Sequence, residues 1–585
     1  MKSNDLEYSL GDNNMEKTNR KQIRLITAAL PYINNIPHLG HIVGCHLPAD
    51  IFARYCRAKG YDTVFVGGTD ENGSTSEIAA GKIGVDIQVF ADKLYDSHKK
   101  IYDWFGISYD IFSRTTKLLH HKTVQDFFTA INKNGFVTAG KMKIFYSTAE
   151  DRYLPDRYVV GTCPNCGYKD ANGDQCEKCT KVINPTQLIS PRSAQTGGTV
   201  EIREAEHLFL RLDKLSSKLK KWIGKQKNWR PQVSSLAMGW INDGLKERCI
   251  TRDLKHGVPV NLKGFEDKVF YVWFDAPIGY LSFTKEARPD DWKEIWQGKD
   301  SRIYNFLGKD NIPFHTIFWP GMLLAHKDFN LPFNVIGLQY LNYEGGKFSK
   351  SNKRGVFCEK LPPSGIDPDL IRAYLTTLIP ETGDSEFKWE EFQKRINSDI
   401  IGNYGNLINR TASFINARLD GLVKKPSKKE LTSSDKRLAK SIKQKANNIT
   451  KLLESAEFRA AFSEILALST EGNRYFEENK PWEIIKTDKK RAGQILYHCA
   501  ELCRSLSILA SPFLPFSSQK VWNQLGLKGK VDSPGSWDSS AETGNEEKYA
   551  PKEAKVLFNK LTDDYISSLK KDTADTKDIS ELFKK

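Results

Sequence analysis

The 585-residue chain has no run approaching the ~20 apolar residues that a bilayer-spanning helix needs, so a membrane partner is not expected. It lacks the apolar core of a secretory signal, and Asp5, Glu7, Asp12 and Glu16 give its first residues more acid than a transit peptide carries. A disulfide framework is missing too. Of ten cysteines, Cys45, Cys56, Cys249, Cys358, Cys499 and Cys503 are scattered without a pairing pattern, which fits a reducing compartment and a cytoplasmic protein. No internal repeat is found. Acids are scarce relative to bases, 72 against 87, for a net charge of +15. That balance suits a polyanionic partner such as nucleic acid, and equally an evenly solvated lysine-rich surface.

The length exceeds the ~250 to 300 residues at which single cores stop growing, so several domains are expected. A flexible leader over 1–21 precedes a short apolar strand from Arg24 to Leu30, closed by Pro31 and followed by Asn34, Asn35 and Pro37. Apolar periodicity from Leu39 predicts a helix stopping at Gly60, and Thr63 to Val66 reads as the next strand. Strand, helix, strand implies α/β architecture with a parallel sheet. The expected division is a first catalytic half over 22–138, an insert over 139–248 and a second half over 249–367. A helical bundle over 368–532 and a charged, mobile tail over 533–585 follow. Val269 to Phe274 and Ile303 to Leu307 read as strands of the second half.

Two short segments carry nucleotide chemistry. At a strand-to-helix turn, His38 and His41 would place two imidazoles beside an anion, with Gly40 allowing close approach of a base or ribose. An ordinary helix start with surface histidines gives the same tetrapeptide. Lys347-Phe348-Ser349-Lys350-Ser351 follows Gly345-Gly346 and precedes Asn352-Lys353-Arg354-Gly355, which makes it either a basic loop able to close over phosphates or a solvated charge run. Together, roughly three hundred residues apart, the segments resemble the HIGH and KMSKS signatures of class I aminoacyl-tRNA synthetases. The resemblance implies a split Rossmann-like sheet and ATP held by Pro37, His38, Gly40 and His41. Lys350 and Lys347 would neutralise the α-phosphate and departing pyrophosphate, and magnesium would accompany ATP. Gly308-Lys309-Asp310 resembles the next family segment, with Asp310 accepting from a ribose hydroxyl. Phe348 departs from the family pattern, which has Met there.

Asp70 lies in Gly67-Gly68-Thr69-Asp70-Glu71-Asn72-Gly73, at the end of a predicted parallel strand where ligands bind in open α/β sheets. A carboxylate there can pair with a substrate ammonium, or simply cap its loop. Tyr271 to Tyr280 concentrates aromatic and small apolar groups at a predicted strand end, either core or the wall of a thioether pocket. With Ala29-Leu30-Pro31-Tyr32 and Pro313-Phe314-His315, this run resembles the methionine pocket of methionyl-tRNA synthetases. By that resemblance Leu30, Tyr32, Asp70, Trp273, Ala276, Pro277, Tyr280 and His315 surround methionine, and Arg252 assists catalysis.

Cys163-x-x-Cys166, nine intervening residues, then Cys176-x-x-Cys179 has the spacing of two thiolate knuckles holding one structural zinc, with no position left open for catalysis. A redox-active set or a nucleic-acid-binding zinc ribbon shares the pattern. In the helical region Asn406 and Arg410 stand at i and i+4, and Pro481-Trp482 starts a further helix. Such residues are ordinarily solvated or core. Here they resemble the family's anticodon-reading elements, with Trp482 stacking a base. The expectation is a monomeric methionine–tRNA ligase acting on ATP, L-methionine and methionine-specific tRNA, the initiator included. The alternatives are a class I synthetase for another amino acid and an inactive tRNA-binding relative.

Overall fold

The computed structural model describes residues 21–583 except 174, 175, 177, 180–182, 184, 349–353, 553 and 575–578. The expected leader before residue 21, and Lys350 with its neighbours Ser349 and Ser351, therefore lie outside the described residues.

Five strands form the central sheet: β1 (Ile23–Ala28), β2 (Asp62–Thr69), β3 (Ile111–Arg114), β4 (Ser301–Gly308) and β5 (Asn334–Leu338). Their order is β5-β4-β1-β2-β3, and every pairing is parallel. β1 is buried along its whole length, which is why it reads as a nearly unbroken apolar run rather than an alternating one. Its one charge, Arg24, stands 3.6 Å over the Tyr61 ring and pairs with Glu454 at 2.9 Å. β2 and β4 leave β1 on opposite sides, so a crevice opens at the carboxyl ends of these strands. The helix α1 (Leu47–Lys59) leads from β1 to β2 and ends at Gly60, whose φ of 95° is the left-handed conformation that a glycine cap supplies.

Between β3 and β4 the chain changes character. Val137–Ser147 pairs antiparallel with Glu201–Leu210 in a four-stranded sheet. Three short strands, Val159–Thr162, Ala171–Asn172 and Ile189–Ser193, form a second sheet around their own small core of Phe145, Leu154, Tyr158, Val159, Ile183 and Leu188.

The sequence-based strand at Val269 to Phe274 is corrected. Only Val269–Phe270 is extended, and α2 (Val272–Ala287) follows at once. Phe274 to Thr284 are buried on every face of this helix, so no polar side interrupts the run and periodicity could not distinguish helix from strand.

The remainder is largely helical: α3 (Pro368–Thr377), α4 (Asn406–Arg418), α5 (Ser433–Glu454), α6 (Phe458–Asn479) and α7 (Lys489–Ala510). α5 starts on a capping box in which Asp435 N–H donates to Thr432 Oγ1 at 3.3 Å and Thr432 N–H donates to Asp435 Oδ2 at 2.9 Å. Its buried Leu438, Ile442, Ala446, Ile449 and Leu453 form one helical stripe. Helix and sheet are joined by Arg372 of α3, fully buried, which donates to Asp50 of α1 at 2.8 Å, to Phe105 O at 2.9 Å and to Phe513 O at 2.9 Å.

The expected mobile tail is also corrected. The Trp537 indole is 1% exposed and donates to Thr450 Oγ1 at 2.9 Å, and Lys548–Tyr549 pairs with Val423–Lys424. α8 (Asp563–Ala574) buries Ile566 and Leu569, and Phe583 stacks on Phe90 with centroids 5.5 Å apart. Few apolar residues are needed, because each fills a surface that the earlier domains already present. Among the described residues no helix is long and apolar enough to cross a membrane.

Candidate active site

The first histidine segment follows β1 and lies against the chain that leaves the basic loop. Leu39 N–H donates to Val356 O at 3.2 Å and Cys358 N–H to Pro37 O at 3.1 Å, so residues 37–39 and 356–358 run together as a short ladder. Both imidazoles are oriented by the backbone: Gly40 N–H donates to His38 Nδ1 and His38 N–H to His41 Nδ1, each at 3.1 Å. A ring nitrogen that accepts carries no proton, so in each neutral ring Nε2–H is the free donor. Burial, with the neighbouring His41 adding to it, holds the His38 pKa well below the usual imidazole range. A Cβ at Gly40 would lie 2.8 Å from His38 Cε1, so a side chain there would displace that ring.

Asp70 follows β2 directly. Its N–H donates to Pro31 O at 2.9 Å and its carbonyl accepts from Ile33 N–H at 3.1 Å, clamping the ends of β1 and β2 together. The side chain is 4% exposed, and its Oδ1 has no hydrogen-bond partner. Asp275 on α2 is a second carboxylate, fully buried, whose Oδ2 accepts from Asn72 Nδ2 at 2.8 Å while Oδ1 has no partner. Burial raises both pKa values well above the carboxylate range, and for Asp70 the charges of Asp275 and Glu71 add to the effect. Glu71 itself pairs with Arg114 at 2.8 Å. A buried carboxylate with an unused oxygen is costly alone and becomes stable when a cation reaches it.

An aromatic wall stands beside these acids. The Tyr32 and Trp273 rings meet edge to face with centroids 6.1 Å apart, Trp273 stacks on Phe314 at 3.5 Å, and Leu30 lies against Gly279. Tyr280 O–H donates to His315 Nε2 at 2.9 Å, while His315 Nδ1–H donates to Asn311 O at 3.0 Å. Burial lowers the His315 pKa to about 4, against the Asn311 bond. Ala276 and Pro277 are buried on α2 between these groups. Arg252 stacks its guanidinium 3.7 Å over the Tyr271 ring and donates to Thr251 O at 2.8 Å.

Gly308 ends β4 with open space where a Cβ would be, and the exposed Asp310 accepts from the Tyr340 hydroxyl. Lys347 is exposed, with Nζ 5.7 Å from the Tyr340 ring centroid. The structure therefore gathers residues from 30–41, 70, 273–280 and 308–315 at the carboxyl ends of the strands, and brings Phe348 to them. Sequence reasoning missed Asn72, Asp275 and Phe314. An acid inside the apolar run 273–280 was the one available signal for Asp275.

The Sγ atoms of Cys163, Cys166, Cys176 and Cys179 all lie within 4.8 Å of one another, with contacts of 3.8 Å (Cys163 to Cys179) and 3.6 Å (Cys166 to Cys176). A tetrahedron with metal–sulfur bonds of about 2.3 Å has edges of about 3.8 Å, so the four thiols fit a metal ion. Gly167 (φ 72°) makes the turn of the first knuckle, and Asn165 N–H points at Cys163 Sγ at 3.4 Å.

Far from the crevice, Arg410 lies 4.3 Å over the Phe476 ring and pairs with Glu477 at 2.6 Å, and Trp482 stacks on the same Phe476 at 5.9 Å. Asn406 stands one turn before Arg410 on α4, half-buried. Phe476, on α6, is the link that sequence reasoning did not identify.

Residues 24–412 match the family described as tRNA synthetases class I (M), and residues 425–578 match the anticodon binding domain of methionyl tRNA ligase. Among curated relatives, methionine–tRNA ligase 1 of Acaryochloris marina is 41% identical over 555 residues, 93% of this chain and 98% of that protein. The methionine–tRNA ligase of Pyrococcus abyssi is 38% identical, over 93% of this chain and 76% of its own. The cytoplasmic human enzyme is 42% identical over 86% of this chain and 56% of its own. The solved methionyl-tRNA synthetase of Mycobacterium tuberculosis in complex with methionyl-adenylate shares the fold, with a TM-score of 0.76 at 24% identity, over 92% of this chain and 99% of that one.

Proposed function

The chain belongs to the methionyl-tRNA synthetases of class I, and from that premise we propose that the residues gathered at the carboxyl ends of the sheet carry the two steps of a methionine–tRNA ligase. The enzyme activates methionine with ATP and transfers it to tRNA. The observation that carries the assignment of residues is the unpartnered, buried Oδ1 of Asp70 beside an aromatic wall. The substrate ammonium occupies that acid, and the thioether lies among Leu30, Tyr32, Trp273, Ala276, Pro277, Tyr280 and His315. A polarizable side chain gains from such rings, and the neutral His315–Tyr280 pair closes the pocket without a charge.

In the first step the methionine carboxylate attacks the α-phosphate and pyrophosphate leaves. Pro37 and Gly40 lie beside the nucleotide, His38 and His41 donate Nε2–H to its phosphates, and Gly308 and Asp310 face the ribose. Lys347 and Lys350 neutralise the charge developing on the phosphates, and Arg252 orients the substrate carboxylate. Magnesium carried in with ATP would supply further positive charge at the leaving pyrophosphate. Positioning and charge stabilisation suffice, so no protein nucleophile is needed. In the second step a terminal ribose hydroxyl of tRNA attacks the activated carbonyl and releases AMP. Asn406, Arg410 and Trp482 read the anticodon, and Cys163, Cys166, Cys176 and Cys179 would hold zinc, the ion best matched to four thiolates, which would tie the insert together.

Pyrophosphate exchange measured over the amino acids tests this reading. Methionine should support exchange far better than any other, and Asp70→Asn should raise the methionine KM by about a hundredfold or more through loss of a buried charge pair. Faster exchange with another amino acid, or an unchanged methionine KM in that variant, would overturn the pocket.

A further inference from the structure

Phe348 occupies an unusual position. Its ring stacks on the His38 imidazole with centroids 4.5 Å apart and planes only 8° apart, and Tyr343 backs it at 5.6 Å. The slot exists because Gly355 leaves space for the ring, with Gly40 in ordinary contact across it. A Cβ at Gly355 would lie 2.7 Å from Phe348 Cδ1, and one at Gly40 would lie 3.7 Å from Phe348 Cδ2. Gly40 belongs to the histidine segment and Gly355 to the exit of the basic loop, so one ring touches both sides of the junction.

The flanks of the loop are tied down elsewhere as well. On the exit side, the ladder between residues 37–39 and 356–358 holds the chain to the histidine segment. Arg354 crosses to the entrance side, donating to Tyr343 O at 3.3 Å and to Glu344 O. His38 has its ring plane bounded by Phe348 on one side, and His41 approaches with centroids 3.9 Å apart. Its Nδ1 is held by Gly40 N–H, so the remaining freedom of the ring is rotation out of the stack, and the stack opposes that motion.

We propose that Phe348 is a positioning residue that acts through His38, holding that imidazole with Nε2–H directed at the nucleotide. The proposal rests on the reading of His38 as a phosphate donor. It predicts that the requirement at 348 is for a flat ring: Tyr should serve, Leu should not despite its apolar bulk, and Met should be intermediate because a thioether contacts an imidazole face more weakly than a parallel ring.

The test is a double-mutant cycle on the full chain, read by steady-state pyrophosphate exchange. Phe348→Leu should lower kcat about ten- to hundredfold, the scale expected when a catalytic donor is misplaced, with the methionine KM unchanged and Phe348→Tyr close to wild type. In the His38→Asn background, Phe348→Leu should add less than about twofold, since the group it positions is gone. Additive losses, a raised methionine KM or a Leu variant equal to wild type would overturn the proposal. Wild-type exchange by His38→Asn alone would instead overturn the reading of His38, a separate outcome. Phe348→Met carries the same cycle if the Leu variant does not fold.

Discussion

At the scale of single residues, two buried carboxylates of the crevice each keep one oxygen without a partner. Asp70 and Asp275 are both raised above the ordinary carboxylate range by burial, and for Asp70 by nearby acids as well. A carboxylate with a higher pKa folded than unfolded binds its proton more tightly in the native state. The stability it contributes is therefore greatest at low pH and declines as pH rises above the unfolded value. Asp275→Asn keeps an acceptor for Asn72 and removes one charge. Its melting temperature should exceed that of wild type by a few degrees, with a gain that widens from about pH 4 to about pH 8. Thermal unfolding across that range would refute the account if the variant were less stable at every pH. Trp482 poses the opposite case, a half-buried ring stacked on Phe476. Trp482→Ala should cost ~1 to 3 kcal/mol of tRNA binding and leave pyrophosphate exchange intact. Equal losses in charging and exchange would sink the anticodon role.

At the scale of elements, three segments of wide helical turn adjoin the candidate sites. Leu47 N–H reaches back to Ile42 O, Trp319 N–H to Phe314 O, and Asn406 N–H to Ile401 O. The first follows, the second contains and the third precedes a proposed binding segment, as such bulges often do. They re-aim side chains without ending the helix, and no residue type announces them in the sequence. The cysteine knuckles behave differently, because their geometry is local and their spacing alone was enough to find them. Around them the part of the insert from Phe145 to Leu188 has a core separate from that of the sheet, too small to hold together without the thiols bridged. One zinc per chain is expected by metal analysis, and Cys176→Ser should lose it. Removing the metal should expose the strands between Val159 and Ser193 to hydrogen exchange while β1 and β4 stay protected. Uniform protection with the metal gone would show that the insert does not depend on it.

At the scale of the whole molecule, the helical part and the sheet are joined by buried charge. Arg372 satisfies Asp50 and three backbone carbonyls at the junction, those of Phe105, Pro512 and Phe513, and Arg24 reaches Glu454 from inside the sheet. Breaking such a pair leaves the partner buried, so Arg372→Met should destabilise the protein by about 3 kcal/mol or more, measurable by denaturant unfolding. A change below about 1 kcal/mol would mean that Arg54 and Ser108 alone satisfy Asp50. The returning C-terminal segment adds to this union. Phe357 N–H donates to Thr573 O at 3.2 Å, and Lys570 faces Glu344 at 3.6 Å, so α8 lies against both flanks of the basic loop.

The local pattern of the sequence determined the order of strand and helix around His38, the metal knuckles, the amphipathic stripes of α5 and the resemblance that led to the family. Each depends on backbone geometry within a few residues, where spacing and periodicity carry the information. Only the tertiary structure decided that Tyr271 to Tyr280 opens a helix, that Asp275 joins Asp70, that Phe476 unites Arg410 with Trp482, and that Phe348 stacks on His38. Burial and contact between residues hundreds of positions apart are set by how preformed surfaces pack, and composition averages them away. The tail after Ser533 illustrates the same limit: its few anchors, such as Trp537 and Leu569, look too sparse to order a segment until the surface that receives them is present.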